Sequence, residues 1–349
     1  MKLVRPALTF AAEAWCSLAV LEPTPPPCCS SCKTTSSWPG FSGINNVFSF
    51  GDSYTTTNFD YTGQQPTPEN PLGNPPYPGM TSALPAPNWI DFLTVKYNQS
   101  SLLTYNLAVG GATVDSDLVF PFFPTVLSLK EQVHQRFVPG YDQVGGSAPL
   151  TRPWYGNDTL FAFWIGINDV NGSYGRGPGF TGPLNRQIMA VYRELLRFLF
   201  EEMGMRNLVL LNVPSIDRSP LMNARGSEEQ RIQKADLADF NGLILKMAQD
   251  FKKEVAAEGN VWLYDSYTDF SRAMDDPKSF PQTSLLKNVT DSCDAYGPVG
   301  TPEEDTFYDV CGVPVNEYFW LNALHPTYPI HEAVAAQIAK LLEGSPNIC

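Results

Sequence analysis

Along the chain, short apolar runs alternate with longer stretches in which apolar positions return every three or four residues. The runs Asn46–Phe50, Leu103–Leu107, Leu160–Ile165, Asn207–Val213 and Val261–Tyr264 are rich in aromatic or aliphatic residues and have the length of buried strands. Between and after them, 88–97, 125–137, 184–203, 227–257 and 331–342 carry the helical period. Tyr192, Leu195, Leu196, Leu199 and Met203 make one stripe of the kind that packs a helix on a sheet. Strands alternating with helices predict an α/β fold, a parallel sheet of about five strands covered on both faces.

Such sheets bind ligands at the carboxyl ends of their strands. After the first run stands Gly51-Asp52-Ser53-Tyr54, after the second Ala108-Val-Gly-Gly-Ala-Thr113, and after the third Gly166-Ile-Asn-Asp169. His325, one of only three histidines, precedes the last helix within Trp320-Leu-Asn-Ala-Leu-His-Pro-Thr-Tyr328. Ester hydrolysis by serine needs a nucleophile, a base to take its proton and donors for the oxyanion formed on attack. Ser53, His325 and an oxyanion hole from the N–H groups of Ser53 and Gly111 with the side-chain amide of Asn168 would supply all three. Asp52 and Asp169 read as structural, His331 as a surface or capping group on the final helix, and His134 as part of an exposed helix face.

Composition narrows the partners. A net charge of −13 without a basic run argues against nucleic acid and anionic membranes and favours an uncharged small substrate. No apolar run approaches the ~20 residues of a bilayer span. The 31 prolines and 26 glycines predict long, shaped loops. Two readings of residues 1–37 stay open: a signal peptide with an Ala12-Glu-Ala14 cleavage site, or a Pro/Cys/Ser-rich linker ahead of a domain at 38–349. Acceptor sequences for N-glycosylation at Asn98, Asn157, Asn171 and Asn288 fit a secreted chain. Cys293 and Cys311 bracket a Gly/Pro/Asp-rich loop that a disulfide would close. Cys16, Cys28, Cys29, Cys32 and Cys349 cannot all pair and show no zinc-site spacing, so neither metal nor cofactor is expected.

Gly51-Asp-Ser53, Gly111, Gly166-x-Asn-Asp169 and His325, in this order from about Trp38 to Leu342, resemble the four blocks of the GDSL, or SGNH, hydrolases. The resemblance implies a flavodoxin-like three-layer α/β/α sandwich with Ser as nucleophile, Gly and Asn as oxyanion donors and His as base. Trp38-Pro-Gly-Phe41, Asn70-Pro-Leu-Gly-Asn-Pro-Pro-Tyr-Pro-Gly79 and Phe319-Trp-Leu-Asn322 resemble more narrowly the secreted acetylesterases of carbohydrate esterase family 16. That likeness implies an enzyme removing acetyl groups from hemicellulose-derived oligosaccharides; a monomer is expected, and Tyr54, Tyr77, Trp89, Trp164 and Trp320 are candidates to stack on sugar rings. The superfamily's final block is Asp-x-x-His, whereas here Asn322 takes the place of the Asp. Three readings stay open: Asn322 orients His325 through its amide oxygen, a backbone carbonyl does so, or a carboxylate from elsewhere does. Two rival functions also stay open, a lipase or phospholipase acting on longer acyl esters and an inactive carbohydrate-binding protein.

Overall fold

In the computed structural model, residues 32–83, 85–297 and 303–349 are described; the leader reading, Cys16, Cys28 and Cys29 lie outside them. Five strands, β1 (Asn46–Gly51), β2 (Leu103–Asn106), β3 (Thr159–Trp164), β4 (Asn207–Leu211) and β5 (Asn260–Tyr264), form one parallel sheet in the order β2-β1-β3-β4-β5. Almost every strand residue is buried, which is why these segments read as continuous apolar runs instead of alternating ones. This is the flavodoxin-like order, and the chain reverses direction across the sheet between β1 and β3.

Helices α1 (Trp89–Val95), α2 (Leu129–Glu131), α3 (Val138–Tyr141), α4 (Ile167–Ser173), α5 (Pro178–Glu201), α6 (Pro220–Arg225), α7 (Ser227–Glu254), α8 (Ser266–Asp275) and α9 (Tyr328–Glu343) complete the framework. Side-chain alternation along the strands assigns them to layers. Phe48 and Phe50 meet Phe137, and Phe163 meets Tyr192 of α5. Trp164, one residue on, turns to the opposite face against Trp89 of α1, Phe270 of α8 and His331 of α9. The result is an α/β/α sandwich.

Several boundaries differ from the sequence reading. The periodic stretch 125–137 becomes α2, a π-helical segment Gln132–Phe137 and α3. Helix α5 begins ahead of Pro183, with Pro178 at its first turn. Helix α8, short and with few buried apolar residues, lacks a strong periodic signal; its sequence mark is Asp265, whose carboxylate accepts the Thr268 N–H at 3.1 Å. Cys293 and Cys311 are joined in a disulfide, and a second disulfide links Cys32 to Cys349. Trp38 packs against Trp262 of β5, the ring centroids 4.5 Å apart and the planes tilted by 53°.

Candidate active site

The register pairs Gly51, the last residue of β1, with Trp164, the last of β3. The loops after these two strands therefore leave the sheet side by side at its topological switch point. Gly51 is required where it stands: its φ is +155°, and a Cβ there would lie 2.3 Å from the Trp164 carbonyl oxygen. Its backbone is gripped by Gln132, whose amide donates to Gly51 O at 2.8 Å and accepts from Gly51 N–H at 3.0 Å. The turn that follows is closed by Thr55 and Thr56 N–H donating to Asp52 O. Asn88, Trp89 and Asn106 all donate to Thr55, at 2.9, 3.0 and 2.6 Å. Ser53 is thus presented, half-buried, on a rigid corner.

Ser53 Oγ lies 2.8 Å from His325 Nε2, and His325 Nδ1 lies 3.1 Å from Asn322 Oδ1. The same Asn322 oxygen accepts the Leu324 and His325 backbone N–H groups at 3.0 and 2.9 Å. Of the three orienting arrangements, the side-chain amide oxygen is the one facing the ring. An Nδ1–H donating to it fixes the tautomer whose Nε2 lone pair faces the serine. Burial holds the His325 imidazole down at about 4. The unprotonated form therefore persists well below neutrality, and only as pH falls through about 4 does the ring gain a proton. We predict a kcat/KM profile that stays flat from pH 7 into the acidic range and declines only near pH 4; a fall centred on the usual histidine range near 6.5 would contradict it.

The glycine pair closes the other side. A Cβ on Gly110 would lie 3.9 Å from Ser53 Cβ, and Gly111 has φ +83° with no room for a side chain, since a Cβ would fall 2.5 Å from Phe122 Cβ. Asn168, in the first turn of α4, donates one amide N–H to Ala112 O at 2.8 Å. Its neighbour Asp169 accepts the Val114 N–H with both oxygens, at 3.1 and 3.2 Å. The loops after β2 and β3 are thereby laced together. Among the described residues, no protein acceptor takes the N–H of Ser53 or Gly111, and Asn168 keeps its second amide N–H. Asp52 is buried, with Oδ1 accepting the Tyr54 N–H at 3.0 Å, and burial raises its carboxyl to about 8, helped by Asp169 nearby. At neutral pH the group beside Ser53 is largely uncharged, so it does not oppose an oxyanion there.

Four expected sugar-stacking residues are corrected. Tyr54, Trp89, Trp164 and Trp320 are each fully buried and offer no face to a ligand. Tyr54, Trp89 and Trp164 pack on one another beneath the site, with ring centroids 5.3 and 5.9 Å from Trp164. His331 is also corrected: α9 starts three residues earlier, at Tyr328, which turns the imidazole inward against Tyr54 and Trp164, and burial lowers it to about 3. Tyr77 is exposed, and the exposed aromatics on the segment that meets Gly111 are Phe120, Phe122 and Phe123, at 69, 72 and 58% exposure. The phenylalanine run was visible in the sequence as Val119-Phe-Pro-Phe-Phe-Pro124, but nothing in its periodicity marked it as outward-facing. His134 lies on an exposed helix face beside Phe198. No group of His, Cys, Asp or Glu able to hold a metal occurs among the described residues.

The family model GDSL-like Lipase/Acylhydrolase matches residues 47–338, which span all these segments. The chain belongs to this family. As a GDSL-family member it is a carboxylic ester hydrolase. A curated acetylesterase from Thermothelomyces thermophilus is 34% identical over 301 residues, covering 86% of this chain and 88% of that protein. Among solved structures, a variant of an acetyl xylan esterase from Geobacillus stearothermophilus aligns at TM-score 0.47 and 12% identity, covering 87% of this chain and 98% of that one. A carbohydrate acetylesterase from Sinorhizobium meliloti aligns at TM-score 0.41 and 13% identity, over 85 and 97% of the two chains. No helix of this GDSL-family chain, among the described residues, is long and apolar enough to cross a membrane.

Proposed function

We propose that this chain is a serine esterase that removes acetyl groups from acetylated, hemicellulose-derived oligosaccharides outside the cell. The observation that carries the proposal is the continuous chain Ser53 Oγ, His325 Nε2, His325 Nδ1, Asn322 Oδ1 at the switch point of the sheet. The acetylesterase relative supports the acyl group. Two disulfides agree with an oxidising compartment. Asn157 is the most open of the four expected glycosylation positions, whereas Asn171 Oδ1 receives the Gln233 amide at 3.3 Å.

In this reaction His325 Nε2 takes the Ser53 proton as Oγ attacks the acetyl carbonyl carbon. The oxyanion receives the N–H groups of Ser53 and Gly111 and the free amide N–H of Asn168, each such donor contributing roughly 3 kcal/mol to lowering the barrier. The bond from carbon to the sugar oxygen then breaks, that oxygen takes the proton from His325, and acetyl-Ser53 remains. Water gives its proton to His325, attacks the acetyl carbon, and acetate leaves as Ser53 is reprotonated. An inactive binding protein, suggested by the missing Asp, is disfavoured because Asn322 faces the ring in the orienting position.

Phe122 is the sugar contact in this reading. Its backbone N–H donates to Gly111 O at 3.1 Å, which holds its backbone at the rim beside the oxyanion donors with the ring exposed. With Phe120 and Phe123 it forms a run of exposed aromatic residues beside the site, and contiguous exposed apolar surface marks a contact for ligand. The test compares kcat/KM on acetylated xylo-oligosaccharides, on ethyl acetate and on an octanoate ester. The expected pattern is efficient acetate release and poor octanoate hydrolysis; comparable octanoate turnover would favour the lipase reading. Phe122→Ala should raise KM for the oligosaccharide roughly five- to tenfold, the magnitude of one aromatic contact, and leave ethyl acetate within twofold.

A further inference from the structure

We propose that Tyr54 is a positioning residue for the reaction: its buried hydroxyl clamps the loop that carries His325 to the corner that carries Ser53. The inference rests on the catalytic roles proposed above for those two residues.

The two segments are far apart in sequence and approach only through folding. Among the described residues, two hydrogen bonds join them: Ser53 Oγ with His325 Nε2 at 2.8 Å, and Tyr54 Oη donating to Leu324 O at 2.5 Å. The first is the bond that chemistry breaks and remakes in each half-reaction. The second is untouched by chemistry and acts on the peptide immediately before the histidine.

Everything around the phenol fixes where that hydroxyl sits. The ring is fully buried, edge-on to Trp164 at 5.3 Å, parallel to Phe270 at 6.4 Å, and 5.6 Å from the His325 ring itself. Its backbone N–H is anchored on Asp52 Oδ1 at 3.0 Å. Burial keeps the phenol well above its ordinary range, so it remains a neutral O–H donor at any working pH. The His325 loop is held internally by Asn322 Oδ1 and by the Leu321 N–H on His325 O at 2.9 Å, and from α6 by the Leu221 N–H, which donates to Ala323 O at 2.8 Å. Those bonds set the shape of the loop. None of them reaches the Ser53 corner; apart from the reacting pair itself, the Tyr54 hydroxyl is the group that ties the loop directly to that corner among the described residues.

A proton transfer across 2.8 Å is sensitive to displacements of a few tenths of an ångström, and a 1 Å misplacement costs on the order of 10²-fold. Tyr54→Phe keeps the ring and its packing and deletes only the clamp. Its kcat on p-nitrophenyl acetate should fall roughly tenfold with KM within twofold, and labelling of Ser53 by a fluorophosphonate should slow in proportion. Because Tyr54 and Asn322 hold the same loop, Tyr54→Phe combined with Asn322→Ala should lose less than the product of the two single effects on the labelling rate. A Tyr54→Phe enzyme with wild-type kcat and a lowered Tm would overturn the proposal and leave the tyrosine a packing residue; so would single effects that simply multiply. Wild-type protein that fails to label at all strikes the catalytic reading itself, whereas wild type and Tyr54→Phe labelling equally fast strikes only the clamp.

Discussion

Ser53→Ala should lower kcat on acetate esters by roughly 10⁴- to 10⁶-fold, the range seen when a serine hydrolase loses its nucleophile. Binding should survive, because the oxyanion donors come mainly from backbone and from Asn168. Stability should survive too: the Ser53 side chain is half-buried and, among the described residues, makes one hydrogen bond, to His325. The corner is held by Gln132, Asn88, Trp89 and Asn106, none of which touches the hydroxyl. The decisive pair of measurements is kcat on p-nitrophenyl acetate and the thermal midpoint. A variant with wild-type kcat and an unchanged midpoint removes Ser53 from the mechanism.

Asn322 should separate two contributions that an aspartate normally combines. Its Oδ1 is the point on which the Leu324 N–H, the His325 N–H and His325 Nδ1 converge. Asn322→Ala deletes the loop closure and the tautomer anchor together, and kcat should fall roughly 10²- to 10⁴-fold, the upper bound being the cost of a wrong tautomer in a serine triad. Asn322→Asp keeps an oxygen for all three donors and adds a negative charge. The carboxylate favours the imidazolium, so the His325 pKa rises from about 4 and activity is lost at a higher pH as the solution is acidified. At neutral pH the Asp variant should remain within about tenfold of wild type. Full pH profiles of both variants check this. An alanine variant with unchanged kcat would leave His325 to another partner, and an Asp variant with an unmoved acid limb would mean that the carboxylate does not face the ring. The natural Asn thereby fits an enzyme whose base stays unprotonated in acid.

Much of this was legible before any coordinates. The strands were readable because parallel strands buried on both faces leave uninterrupted runs such as Leu160–Ile165, and the switch-point rule then pointed to the segments holding Ser53, Gly111 and Asn168. What the sequence could not convey was depth. Trp89, Trp164 and Trp320 have the composition of sugar platforms, yet each lies beneath the surface, and an aromatic side chain carries no local mark of which it is. His331 misled for a related reason: α9 begins at Tyr328 with Pro329 in its first turn, so His331 is an interior helix position facing the core and not an end group. The Tyr54 contact with Leu324 was beyond reach, since a pairing across most of the chain leaves no periodicity at either end.

The disulfide between Cys32 and Cys349 makes residues 32–349 a closed covalent ring. In a linear chain, one cleavage in an exposed loop separates two pieces that can drift apart. Here a single cut, for example beside Val144, which is 97% exposed, only opens the ring into a line and leaves the two sides of the nick on one molecule. Freeing a fragment takes at least two cuts. The proline- and glycine-rich loops can therefore stand open to solvent while the corner that carries Ser53 and the loop that carries His325 stay tethered on one chain.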